Sequence, residues 1–285
     1  MASSASLTRR RGFAQVAERA PGDVQTDLSR TRRLYLFARR IVHPLVESFM
    51  PVTYTSEEVR DRKRRLDPTG ARNRPEANQE SDRRIRRVAS ALNVDTTQID
   101  RFMKEARRIR LLPVAKSDDP DLASPMCSED RFTIYVITRA AAPQVVVETG
   151  VAHGVSSAFI LAAMQAGRCG RLISVELSDD PRIGQTVSQE LRQRWTLRLG
   201  DSLHVLRAIL ADHPSIDMFV YDSWHGYRHM WREFTLIWPH LAPGGILCAH
   251  DILENNAFPR FVRKYAHEID AWVGSVNFGL VRKRS

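Results

Sequence analysis

The chain has 285 residues, a net charge of +10, 43% apolar residues and three cysteines, Cys127, Cys169 and Cys248. That length admits one large domain or two small ones, with enough apolar content for a full core. No run of about 18 apolar residues offers a membrane span. No C-x-x-C pair suggests a zinc knuckle or disulfide framework, and no apolar run follows the basic start to make a secretory signal, so a cytoplasmic setting is expected.

The charge is uneven: residues 1–125 carry 26 Lys and Arg against 17 Asp and Glu, and residues 126–285 carry 17 against 16. Residues 1–30 read as a disordered or extended tail. Between Thr31 and Met50, the residues Leu34, Phe37, Ala38, Ile41, Val42 and Leu45 fall at helical spacing, with Pro44 to kink or end the helix. Residues 56–66 read as a short charged helix, and 67–78 as loop. Ser81–Leu92 and Thr96–Leu111 have the pattern of two amphipathic helices, the second capped by Asp95 or Thr96. Leu112–Pro125 reads as a linker. Residues 31–125 are therefore expected to form a helical lid or oligomerisation region, and 126–285 a separate cofactor-binding domain.

A helix from Ser128 to Ala142 leads into the run Val145-Val-Val-Glu148-Thr-Gly150-Val-Ala-His-Gly154-Val-Ser156-Ser157. The valines read as a buried parallel strand, followed by a glycine loop and the helix Ala158–Met164. Gly150 and Gly154 permit a sharp turn and a close approach of backbone to ligand. A pyrophosphate would want G-x-G-x-x-G; G-x-x-x-G-x-S with a carboxylate before it suits a cationic or zwitterionic nucleotide. Four more strands are expected: Arg171–Glu176, Trp195–Leu199 leading to Gly200-Asp201-Ser202, Ile216–Asp222, and Leu241–Asp251 with its Pro243-Gly244-Gly245 turn. A helix, Tyr227–Trp238, lies between the last two. Ala271–Val273 and Val276–Val281, around Gly274-Ser275, read as a hairpin. The fold class expected is α/β: a Rossmann-like, doubly wound, seven-stranded sheet with an antiparallel C-terminal hairpin, preceded by an α-helical region.

In this order the features resemble the class I S-adenosylmethionine-dependent methyltransferases. The resemblance implies S-adenosylmethionine as cofactor, with Glu148, Gly150, Gly154 and Ser156 around it. It also implies Glu176 on the ribose hydroxyls, Asp201 and Ser202 on the adenine side, and Asp222 at the reacting end. The Asp222-x-x-His225-x-Tyr227 pattern, with His250-Asp251 downstream, is similar to bacterial small-molecule O-methyltransferases. These are related to the macrolide-sugar O-methyltransferases and cephalosporin-hydroxylase-type proteins; catechol O-methyltransferase is a looser likeness. The pattern implies Mg²⁺ or Mn²⁺ on Asp222, Asp251 and His250, and His225 as general base with Asp222 beside it. The implied acceptor is a hydroxyl of a natural product or sugar. His250 stands where the family places an acid and is a softer ligand.

Two other readings stay open. One is a relative that keeps the cofactor site without methylating, such as a hydroxylase- or cyclase-like tailoring protein. The other is a nucleic-acid methyltransferase. Asp222-Ser-Trp-His225 replaces the Asn/Asp-Pro-Pro-Tyr of base amino-methylation, and no cysteine follows a proline. Arg83-Arg84 and Arg86-Arg87 alternate with acids as on a solvated face. Neither a nucleic-acid nor a membrane partner is expected, whereas a homo-oligomer is. His229 and His240 read as solvated or packing residues, and His153 as facing cofactor or solvent. Residues 31–111 are expected to cover the carboxyl ends of the strands and form much of the acceptor pocket.

Overall fold

The computed structural model describes residues 75–112, 126, 128–274 and 277–285. The expected tail, the helix around Leu34–Leu45, the charged helix at 56–66 and most of the linker lie outside those residues. Three helices come first: α1 (Pro75–Ser90), α2 (Thr96–Ala106) and α3 (Ser128–Ala141). α1 starts earlier than its periodicity suggests because Pro75 occupies the first helical position, where a missing N–H and a fixed φ cost nothing. Asp95 caps α2 by accepting from the Thr97 N–H at 2.7 Å, and the helix ends at Ala106, short of Leu111.

The apolar faces of α1 and α2 pack on α3. Ile85, Val88, Ile99, Phe102 and Met103 belong to the same buried cluster as Ile134 and Val136 of α3 and the sheet residues Val146, Met218 and Ile246. Glu105 fastens the contact, accepting from the Arg139 guanidinium at 2.9 Å and the Tyr135 hydroxyl at 3.0 Å. The Arg139 guanidinium also lies 4.6 Å from the Phe102 ring centroid. These helices therefore share the sheet's core through their contact with α3, while residues 31–74 of the expected lid lie outside the described residues.

The rest alternates strand and helix: β1 (Val145–Thr149), α4 (Val155–Gly167), β2 (Arg171–Glu176), β3 (Trp195–Leu199), α5 (Ser202–Asp212), β4 (Ile216–Tyr221), α6 (Tyr227–Ile237), β5 (Leu241–His250), α7 (Ala257–Lys264), β6 (Ile269–Gly274) and β7 (Phe278–Lys283). They form one seven-stranded sheet in the order β3-β2-β1-β4-β5-β7-β6. β1 to β5 run parallel, and β7 is antiparallel to both neighbours. β1 and β4 are buried at nearly every position, as central parallel strands covered by helices on both faces must be. The Asp217 carboxylate sets their start by accepting from the backbone N–H groups of Gln144 and Val145 at 2.8 and 2.9 Å. Pro243-Gly244-Gly245 lies within β5 as an irregularity, since the β4–β5 register jumps from Ile216↔Leu241 to Met218↔Ile246. The strand order reverses between β1 and β4, and a crevice opens at the carboxyl ends of such a pair.

Candidate active site

The glycine loop at that crevice is fitted to protein. Gly150 has φ +82°, and a Cβ there would stand 2.0 Å from the Asp222 carbonyl oxygen. The Asp222 N–H donates to the Thr149 carbonyl at 2.8 Å, so the segments after β1 and β4 are pressed together. Gly154, also at φ +82°, would place a Cβ 2.8 Å from the Gly184 Cα. Both glycines are required by the backbone itself, since a Cβ at either would meet main-chain atoms.

The two expected cofactor acids at the ends of β1 and β2 are engaged internally. Glu148 is fully buried. Its carboxylate accepts from the hydroxyls of Ser156 and Ser157 at 2.6 Å each and of Ser174 at 2.7 Å. Burial pushes its pKa up to about 7, against the pull of the three hydroxyls. Glu148 and Ser156 thus face each other, each already engaged within the protein. Glu176 Oε2 accepts from Val151 and Ala152 N–H at 2.9 and 3.0 Å, and Oε1 from Leu177 and Ser178 N–H at 2.8 and 3.0 Å. A carboxylate offers about four acceptor positions. Two of these bonds tie the glycine loop to the end of β2 and two close the turn that follows it, so ribose hydroxyls would have to share or displace them.

Asp201 and Ser202 are placed differently from each other. Asp201 is exposed and caps α5 by accepting from the His204 N–H at 3.0 Å. Ser202 turns inward: its hydroxyl donates to Glu233 Oε1 at 2.5 Å and lies 3.1 Å from His229 Nε2. Glu233, fully buried on α6, also accepts from the Thr149 hydroxyl at 2.6 Å, the Ser223 hydroxyl at 2.9 Å and His229 Nε2 at 2.7 Å. Burial raises its pKa, but His229 and the hydroxyls outweigh that and hold it below the ordinary carboxylate value. This strut joins the end of β1, the start of α5 and the loop after β4. His229 is therefore neither solvated nor simple packing. Its i,i+4 spacing to Glu233 was the available sequence signal. His153 is buried, with Nδ1 2.7 Å from Gln185 Nε2, and His240 Nδ1 lies 3.1 Å from the Pro214 carbonyl.

The other expected site residues converge past β4 and β5. Asp222, His250 and Asp251 each offer one ligand atom, all within 4.8 Å of one another. His250 Nδ1 stands 3.0 Å from Asp222 Oδ1 and 3.3 Å from Asp251 Oδ2. Its Nε2 is 3.1 Å from Asp130 Oδ2, on α3. Burial alone would depress the imidazole pKa, but the Asp222 charge and the bonds to Asp130, Asp222 and Asp251 raise it well above the ordinary value. A proton and a metal ion would therefore compete for the Nδ1 position. Two carboxylates and an imidazole suit Mg²⁺ or Mn²⁺, the imidazole favouring the latter. Asp251 sits at φ +51°, a left-handed conformation that Asp and Asn tolerate best. His225 Nε2 is 3.2 Å from Asp251 Oδ2 and 4.0 Å from Asp222 Oδ1. Its Nδ1 is buried with no hydrogen-bond partner among the described residues, so Nε2 is the nitrogen that meets the site.

Residues 147–252 match a protein family described as a methyltransferase domain. No curated protein matches the chain. The fold is similar to the O-methyltransferase from Bacillus cereus solved with SAH, at 12% identity and TM-score 0.45, covering 70% of this chain and 96% of that one. It is also similar to SAH-bound PaMTH1 from Podospora anserina, at 13% and 0.47, covering 70% and 94%. MycE from the mycinamycin biosynthetic pathway, in complex with Mg, SAH and mycinamycin VI, matches at 17% and 0.40, covering 50% of this chain and 45% of that one.

Proposed function

We propose S-adenosylmethionine-dependent, metal-assisted methylation of a hydroxyl on a small natural product or sugar, a reading that starts from the match of residues 147–252 to a methyltransferase domain. The observation that carries this reading is the meeting of Asp222, His250, Asp251 and His225 in one cluster at the carboxyl ends of β4 and β5. S-Adenosylmethionine would lie across the β1–β4 crevice, where the acids Glu176, Asp201 and Asp222 favour its hydroxyls and its sulfonium charge.

A divalent ion held by Asp222, Asp251 and His250 would supply Lewis acidity, lowering the pKa of an acceptor hydroxyl. His225 Nε2, beside Asp251, is placed to take the proton as the acceptor oxygen attacks the methyl carbon and the carbon–sulfur bond breaks. The protein's own contribution is alignment: the Glu176 staple and the Glu233 strut hold the loops that would present the two substrates to each other.

The test is transfer of a labelled methyl group to small molecules from the host, followed by mass spectrometry. Labelled ethers should form, disappear after EDTA treatment and return with Mg²⁺ or Mn²⁺. Turnover that survives thorough chelation would remove the metal from this reading. A cofactor bound without any labelled product would favour a non-methylating tailoring protein.

A further inference from the structure

His250 has to be held with the right nitrogen toward Asp222 and Asp251, and the residue able to do this lies outside the methyltransferase segment. Asp130 is in the first turn of α3, buried to 5% exposure. Its Oδ2 is 3.1 Å from His250 Nε2, while Nδ1 of the same ring faces Asp222 at 3.0 Å and Asp251 at 3.3 Å. Once an ion displaces the Nδ1 proton the ring is neutral and carries one proton, and only the bare nitrogen can ligate. The Asn277 amide Nδ2 stands 3.2 Å from the same Nε2, so the two side chains make opposite demands. Asn277 would donate to a bare Nε2 and leave the proton on Nδ1, blocking the metal position. Asp130 would accept from Nε2 and leave Nδ1 bare. A charged acceptor makes a hydrogen bond roughly twice as strong as a neutral one, so Asp130 prevails.

We infer that Asp130 is a positioning residue of this site: it accepts the His250 Nε2–H and keeps the Nδ1 lone pair directed at the ion shared with Asp222 and Asp251. The inference rests on the metal-assisted reading above. Outer carboxylates that orient a ligating histidine typically change metal affinity by about 10- to 100-fold when removed. Here the carboxylate comes from a helix that α1 and α2 brace. The helical region would thereby bear on the chemistry by fixing one side chain.

The test uses the full chain and Mn²⁺ alone, with free ion read by electron paramagnetic resonance. Asp130→Ala should weaken Mn²⁺ binding by roughly 10- to 100-fold. Asp130→Asn, which keeps an acceptor oxygen without the charge, should fall between the two and serves if Asp130→Ala does not fold. A folded Asp130→Ala protein that binds Mn²⁺ within about twofold of wild type overturns the inference, since the expected loss is far larger. If wild type takes up no Mn²⁺, the metal reading fails, and exchange of the His250 Nε2 proton seen by nuclear magnetic resonance decides the orientation separately. Protection in wild type that is lost in Asp130→Ala supports Asp130 as the acceptor; equal exchange in both overturns it.

Discussion

The Asp222 carbonyl oxygen occupies the place where a side chain at Gly150 would begin: a Cβ there would be 2.0 Å away. The loop that would cradle the cofactor and the segment that would hold the metal are therefore one packed unit. Gly150→Ala should disturb both sites at once. Left-handed backbone costs an L-residue about 1–2 kcal/mol, and the backbone clash adds to it. Equilibrium urea unfolding should show a loss of several kcal/mol, within the roughly 4–5 kcal/mol upper range for single substitutions. Gly154→Ala, whose Cβ would meet Gly184 Cα at 2.8 Å, should lose less.

Asp251 combines a carboxylate in the cluster with φ +51°. Asp251→Asn keeps a residue that tolerates this backbone, so its unfolding midpoint should stay near wild type while activity and Mn²⁺ affinity drop by at least tenfold, about 1.4 kcal/mol. Asp251→Ala should lose activity equally and about 1 kcal/mol of stability besides. Equal stability of the two variants in urea would show that the backbone at this position is relaxed.

Glu148 gives a stability change of unusual sign. Its folded pKa, raised to about 7 from an ordinary 4.5, means the native state binds the extra proton between those values. Stability should therefore fall as pH rises from 4.5 to 7 and level off above. The drop is on the order of 3 kcal/mol if this group acts alone, at about 1.4 kcal/mol per pH unit. Urea unfolding of Glu148→Gln at pH 5 and pH 7.5 should lack that contribution. A slope identical to wild type would mean that Glu148 titrates as if solvated.

Glu233 should do the reverse. Its folded pKa is held below the ordinary 4.5, so the stability it contributes is fully present above that value and is lost as pH falls through the folded pKa. Glu233→Ala leaves three hydroxyls and His229 without their shared acceptor. It should cost about 3–5 kcal/mol at neutral pH, the range for breaking a buried charged network. Acid unfolding followed by circular dichroism should be steeper below pH 4.5 in wild type than in Glu233→Gln.

The sequence by itself determined the order of the strands from Val145 onward, because buried valine runs, acids at strand ends and Gly-Gly turns follow from local chemistry; it did not single out the helices Ser202–Asp212 and Ala257–Lys264. It also brought Asp222, His225, His250 and Asp251 forward as one candidate cluster, through spacing and family likeness. It left the helix ends at Pro75 and Ala106 misjudged, since propensity along a polar helix face changes little from one residue to the next.

Only the tertiary structure decided what the polar atoms do. Glu148, Glu176, Ser156 and Ser202 carry hydrogen-bond capacity that a ligand could use, but the two acids accept from backbone N–H groups or hydroxyls and the two serines donate to Glu148 and Glu233. Asp130 and His250 are 120 positions apart, and no local pattern relates them. A buried carboxylate acquires its partner from the packing of α3 on the sheet, because desolvation forces every buried charge to find one. Sequence periodicity records which faces are apolar; it holds no record of which polar groups those faces enclose together.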